Sequence, residues 1–110
     1  MLEKRVKNLA DVVRRYRRKL EEKVRVQRII LFGSYARGKV HDYSDIDLAI
    51  ISPDFHGGTR TDYRILDQAA SEVTPLIEAF PYTPKDLKHH DPADFLAEIL
   101  RTGKVVYRHS

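Results

Sequence analysis

The stretch Ile29-Ile30-Leu31-Phe32-Gly33-Ser34-Tyr35-Ala36-Arg37-Gly38, followed shortly by Ser44-Asp45-Ile46-Asp47-Leu48-Ala49-Ile50-Ile51, decides the fold. Two apolar, β-branched runs flank a Gly-Ser turn and an Asp-x-Asp, so the segment reads as strand, tight turn, short helix, loop, strand. Alternate side chains of a strand share a face. Asp45 and Asp47 therefore point the same way, while Ile46, Leu48 and Ile50 point into a core. Two carboxylates held side by side repel each other unless a cation lies between them, and magnesium prefers one or two carboxylates together with phosphate and water. Ten residues separate Ser34 from Asp45, which sets the turn at a fixed distance before the carboxylates. Gly33 permits a backbone conformation closed to other residues and lets phosphate approach the main chain. Ser34 is expected to cap the short helix, where its hydroxyl and the free amides suit phosphate oxygens. Arg37, on that helix, brings positive charge to the same anion.

A Gly-Ser or an Asp-x-Asp alone is a weak signal, more often a helix cap or a solvated strand end; the joint spacing with flanking strands gives the pair its weight. In this combination, with Ala36-Arg37-Gly38 and Ser44 around it, the chain resembles the minimal nucleotidyltransferases of the DNA polymerase beta superfamily. These are small prokaryotic proteins paired with HEPN proteins in toxin–antitoxin operons. The resemblance implies an α/β (α+β) polymerase-beta-like nucleotidyltransferase fold, a small mixed sheet flanked by helices, as a single domain over residues 1–110 with its core at 29–51. It also implies Mg2+, as two ions, with ATP as substrate, and Gly33, Ser34 and Arg37 as the nucleotide-binding residues. Asp45 and Asp47 become catalytic metal ligands, joined by a third carboxylate on a neighbouring strand. The candidate is Glu78, a lone acid in Pro75-Leu76-Ile77-Glu78-Ala79-Phe80-Pro81-Tyr82. A buried carboxylate without a partner is costly, which favours a cation there. The alternative is a strand-end glutamate in water. Pro81 requires this strand to lie at a sheet edge.

A chain of 110 residues can bury one core, and 42% apolar with 33% charged residues is a globular balance. No apolar run approaches the ~20 residues that span a bilayer, and no signal-peptide pattern opens the chain. With no cysteine there is neither a disulfide framework nor a thiolate metal site. A cytoplasmic location is the expectation. The net charge of +4 is unevenly placed: residues 1–28 hold eleven Lys or Arg against four Asp or Glu, and the remainder nine against twelve. Within residues 1–23, Leu2, Val6, Leu9, Val13, Tyr16 and Leu20 form one apolar stripe of a basic amphipathic helix. Its other face carries Arg14, Arg15, Arg17, Arg18 and Lys19. That face is either solvated, with the stripe packed on the sheet, or a surface for an acidic partner or RNA. The stripe could also serve as the seam of a homo-oligomer.

Pro53 to Thr61, with Gly57-Gly58, reads as a mobile loop lying over the site, followed by a helix from about Asp62 to Val73 and a strand from about Leu76 to Tyr82. Thr83-Pro84-Lys85-Asp86 and Asp91-Pro92-Ala93-Asp94 each read as a cap, a proline at the first helical position and an acid in the first turn. Gly103 ends the second of these helices, and Val105-Val106-Tyr107 suits a short terminal strand. His41 and His56, in loops, read first as solvated residues with a nucleotide contact as the alternative, and Tyr35 and Tyr43, beside the turn, suit either stacking on a base or covering the core. His89-His90-Asp91 is set aside as a metal cluster, because neighbours in sequence rarely face one ion and a helix-cap reading already explains Asp91.

A chain this short is expected to leave no room for a helical domain that seats an acceptor, so the acceptor is expected on a partner, a second copy or a small exposed surface. The resemblance implies an antitoxin of a type VII-like pair, moving AMP from ATP to a tyrosine of a HEPN ribonuclease toxin and so neutralising it. Two alternatives stay open. One is a binding-only antitoxin, and the other, less expected, is a nucleic-acid-binding module led by the basic helix.

Overall fold

A computed structural model describes residues 8–40 and 44–109. Leu2 and Val6 of the apolar stripe, and His41 and Tyr43, lie outside the described residues. The elements are α1 (Leu9–Leu20), β1 (Arg28–Phe32), α2 (Gly33–Arg37), β2 (Ile46–Ile51), α3 (Arg60–Ser71), β3 (Ile77–Tyr82), α4 (Pro84–Lys88), α5 (Phe95–Thr102) and β4 (Lys104–Arg108). Among the described residues the strands form one mixed sheet in the order β3-β2-β1-β4. β1 runs antiparallel to both β2 and β4, and β2 pairs with β3 in parallel. Such an architecture is the expected small mixed sheet flanked by helices. Pro81 is accommodated because β3 is an edge strand, which spares a ladder donor.

Strand alternation divides the apolar residues between two layers. On one face Ile29, Leu31, Ile46, Leu48, Ile50, Ile77 and Ala79 meet the buried sides of α1 (Val12, Val13, Tyr16, Leu20) and α3 (Leu66, Ala69, Ala70). The Tyr16 hydroxyl donates to the Leu66 carbonyl oxygen at 3.0 Å and ties the two helices together. On the other face Ile30, Phe32 and Ala49 are covered by Ile99 of α5. The described part of the N-terminal stripe is therefore core, not an oligomer seam. Its basic face is partly spent inside the chain. Arg14 pairs with Asp11 at 2.7 Å, Lys19 with Glu72 at 3.0 Å, and Arg17 with Glu21 at 3.0 Å while lying 4.5 Å from the Tyr107 ring centroid.

Local capping shifts three boundaries. α1 ends at Leu20, so residues 21–23 lie beyond the helix, with Glu21 as its cap. α3 starts at Arg60, before Asp62, because Thr59 caps it. The Thr59 side chain accepts from the Asp62 amide, and Asp62 returns the bond to the Thr59 amide, a reciprocal capping box. Thr83 and Asp86 make the same box at α4, as the sequence indicates. Asp91 does not start a helix. Its carboxylate accepts from the Ala93 amide at 2.9 Å in a local turn, and α5 begins only after Asp94, its N-cap residue. Gly103 ends α5 for a packing reason. A Cβ there would stand 2.6 Å from the Ile99 carbonyl oxygen and 2.9 Å from that of Leu31, so only glycine lets α5 turn tightly into β4.

Candidate active site

β1 delivers the chain to Gly33 beside Asp47, the second residue of β2, since Phe32 and Asp47 are register partners. Gly33 adopts φ +72°, the left-handed region that favours glycine. It also faces the carboxylate, for a Cβ on Gly33 would stand 2.1 Å from Asp47 Oδ2 and 3.1 Å from its Cγ. Glycine is thus required twice, for the turn and for the room that Asp47 occupies. This second demand was not legible in the sequence, where Gly33 spoke only for the phosphate. α2 follows at once and closes at Gly38, whose φ of +71° ends the helix. Ser34 is not a cap: Phe32 holds the N-cap position, no side chain caps α2, and Ser34 lies inside its first turn.

Parallel pairing brings β3 alongside with Glu78 directly beside Asp47. Asp45, Asp47 and Glu78 then converge, each offering one carboxylate oxygen such that all lie within 4.8 Å of one another. Asp45 and Glu78 are exposed and Asp47 is half-buried. The expectation that Glu78 is buried is therefore wrong: its face of β3 opens to solvent at this end of the sheet, and a burial cost does not argue for a cation there. The argument that remains is repulsion within the cluster. Burial, followed by the charges of Glu78 and Asp45 and a hydrogen bond with the Glu78 side chain, pushes the Asp47 carboxyl up to about 6, while Arg37 pulls it the other way. Three acids held this close are electrostatically unfavourable when ionised, and a divalent cation is the chemical species that relieves them. The donor set fits magnesium, which takes hard oxygen ligands and keeps sites for water and phosphate. Arg37 stands on the exposed end of α2, near enough to act on Asp47 electrostatically.

The loop after β2 does not lie over this cluster. β2 runs away from it, and Ile51 pairs with Arg28 at the far end of β1. There the Asp54 carboxylate accepts from the Arg25 amide at 2.8 Å and its guanidinium at 2.7 Å, anchoring the loop before β1. Fully buried Asp62 organises the rest, its Oδ2 accepting from the amides of His56, Gly58 and Thr59 at 2.8, 2.9 and 3.2 Å. Burial raises the Asp62 carboxyl, but these three amides outweigh it and hold it below the usual range. His56 accordingly belongs to a structural loop remote from the carboxylates. The spacing Thr59-x-x-Asp62 was the available signal for this capping role.

Comparison with known proteins places residues 13–100 in a match to the nucleotidyltransferase domain family. Two relatives come from Methanocaldococcus jannaschii, both named as candidate protein adenylyltransferases. One is 31% identical over 84 residues, covering 76% of this chain and 80% of the relative. The other is 36% identical over 47 residues, covering 43% of this chain and 55% of the relative. The chain spans about half the length of the first several curated relatives it matches. In fold, a chain of a toxin–antitoxin complex crystallised with AMP-PNP superposes with a TM-score of 0.65 at 20% identity, over 93% of this chain and 75% of that one.

Proposed function

Because this chain belongs to the nucleotidyltransferase domain family, as a member of the minimal nucleotidyltransferase superfamily, we propose that it transfers a nucleoside monophosphate, AMP from ATP, to a hydroxyl of a partner protein. The observation that carries the proposal is the convergence of Asp45, Asp47 and Glu78 within 4.8 Å beside the Gly33 turn. Asp45 and Asp47 would hold the metal that carries the triphosphate, and Glu78 would complete the pair that faces the acceptor. Bound there, divalent cations neutralise phosphate charge and lower the pKa of an attacking hydroxyl. Gly33 offers a main chain that phosphate can approach closely, and Arg37 adds a positive charge on the same side. Asp47 must be ionised to serve as a ligand, so a carboxyl near 6 is ready at neutral pH and is lost to protonation in mild acid.

The acceptor of the proposal is a tyrosine of a HEPN ribonuclease toxin, the chain acting as its antitoxin. Support comes from the names of the relatives and from the toxin–antitoxin complex that shares the fold. A second reading, neutralisation by binding alone, is favoured by the carboxylates' exposure, which leaves the site open to a partner surface. Label separates the two. Incubation of chain and partner with Mg2+ and ATP labelled at the α phosphate should mark the partner, and ATP labelled at the γ phosphate should not. A complex that forms without label from either source would leave the binding-only reading.

A further inference from the structure

The sheet face that carries Asp47 and Glu78 also carries two phenylalanines, and a third packs on it from α5. Phe32 is the register partner of Asp47, and Phe80 lies two residues beyond Glu78 on β3, hence on the same face. Phe95, the first residue of α5, closes the group. Its ring centroid is 5.6 Å from that of Phe32 and 5.8 Å from that of Phe80, in edge-on geometry, and Phe32 and Phe80 are 5.7 Å apart. These are the arrangements in which aromatic quadrupoles attract, so each ring holds the others in place. Phe32 is buried, yet Phe95 is 53% exposed, the most exposed large apolar side chain among the described residues. A single exposed apolar side chain is ordinary on a protein surface. Phe95 differs in two respects: it is fixed by two ring contacts, and the cluster it completes reaches the carboxylates through Phe32, the register partner of Asp47.

Toward one end of the sheet the carboxylates have Gly33 and α2. In the opposite direction along β2 and β3 come Ala49 and Phe80. A nucleotide whose phosphates lie against the Gly33 turn therefore has an aromatic surface on the other side of the metal ligands. We propose that Phe95, braced by Phe32 and Phe80, is the stacking platform for the nucleobase of the donor nucleotide. The proposal rests on the transferase reading in taking a nucleotide as the ligand, and it adds what that reading lacks, a partner for the base. Bases present a π-face to such a platform whatever their edge, so the site should favour a base over none more strongly than it discriminates among bases.

Calorimetric binding of ATP and of inorganic triphosphate, each with Mg2+, tests this on the native chain and on Phe95→Ala, Phe95→Leu and Phe95→Trp, with thermal melts for folding. The native chain should bind ATP more tightly than triphosphate. Phe95→Ala and Phe95→Leu should weaken ATP binding by about tenfold while leaving triphosphate unchanged, and Phe95→Trp should restore the native preference. Because Leu keeps an apolar side chain against Phe32 and Phe80, it separates stacking from packing. Native ATP affinity in the Ala and Leu variants overturns the proposal, as does equal loss of ATP and triphosphate. A rise in KM for the partner protein with ATP affinity unchanged gives the platform to the acceptor and overturns the nucleobase assignment. If base-dependent ATP binding is found but no nucleotide is transferred, the platform stands and the transferase reading falls.

Discussion

Replacing Gly33 by alanine puts the geometry of the site to a quantitative test, because Gly38 provides a matched control. Both glycines have the same left-handed backbone, φ +72° and +71°, so alanine pays a strain of about 1–2 kcal/mol at either position. The surroundings differ. A Cβ at Gly38 meets nothing within 4 Å, whereas at Gly33 it would stand 2.1 Å from Asp47 Oδ2 and 3.4 Å from Asp47 Cβ. Relieving that overlap by shifting backbone adds about 1–3 kcal/mol. Gly38→Ala should thus cost roughly 1–2 kcal/mol and Gly33→Ala roughly 2–5 kcal/mol. In a domain of this size each kcal/mol lowers Tm by about 4–8 °C. The Asp47 side chain can instead rotate away, which brings the stability cost down toward that of Gly38→Ala but takes a ligand out of the carboxylate cluster. A displacement of about 1 Å then costs on the order of a hundredfold in transfer rate. Thermal melts and transfer of α-phosphate label, run on both variants, read the two outcomes. A Gly33→Ala variant that melts with Gly38→Ala and transfers at the native rate would refute the placement of Asp47 against this turn.

Further outcomes follow from the electrostatics. The Asp47 carboxyl, pushed up to about 6, binds its proton more tightly folded than unfolded, so without divalent cations its contribution to stability is greatest below about pH 4 and falls as pH rises toward 6. Asp47→Asn should therefore stabilise the metal-free chain at pH 8, by roughly 1–2 kcal/mol after allowance for solvent screening, while abolishing the thermal shift that the proposal predicts for the native chain with Mg2+. Equal melting of the two without cation would show that the cluster carries no repulsion. Asp62 behaves oppositely: its lowered carboxyl contributes stability above its unfolded pKa, lost as pH falls through the folded value. Asp62→Ala removes the capping box and three amide bonds and should cost roughly 2–4 kcal/mol in urea unfolding, with Mg2+ binding kept because that loop is at the far end of β2. Glu78→Gln should keep ATP binding by calorimetry but slow transfer by about a hundredfold or more, since it keeps the shape and removes the charge proposed to face the acceptor. Unchanged transfer would return Glu78 to a solvent-exposed strand glutamate.

Much of this was readable from residue order alone. Alternation sends Ile46, Leu48 and Ile50 of β2 to one face and Asp47, with Asp45 just before the strand, to the other, and no tertiary contact is needed to see it. The Thr83-Pro84-Lys85-Asp86 cap was equally local. What escaped was what depends on distance along the sheet or on competition between caps. Residues 53–61 follow a strand that starts at the carboxylates, but six residues of extended chain carry the loop to the opposite end. Asp91 and Asp94 are both capable caps, and Asp91 spends its carboxylate on the Ala93 amide, leaving the helix to start later. Glu78, looked for as a third carboxylate on a neighbouring strand, does lie beside Asp47 in the parallel register, but the supporting argument from burial fails: an apolar strand at an edge need not bury every side chain. The aromatic group joins Phe32, Phe80 and Phe95 from three separate elements, and no spacing announces it.

The intact mass of the proposed partner, a HEPN ribonuclease toxin, after incubation with the chain, Mg2+ and ATP and with Asp47→Ala alongside, bears on the central claim most directly. The account predicts a gain of one or more AMP units with the native chain and none with the variant. A stable complex of unchanged mass, or an equal gain with Asp47→Ala, would contradict it.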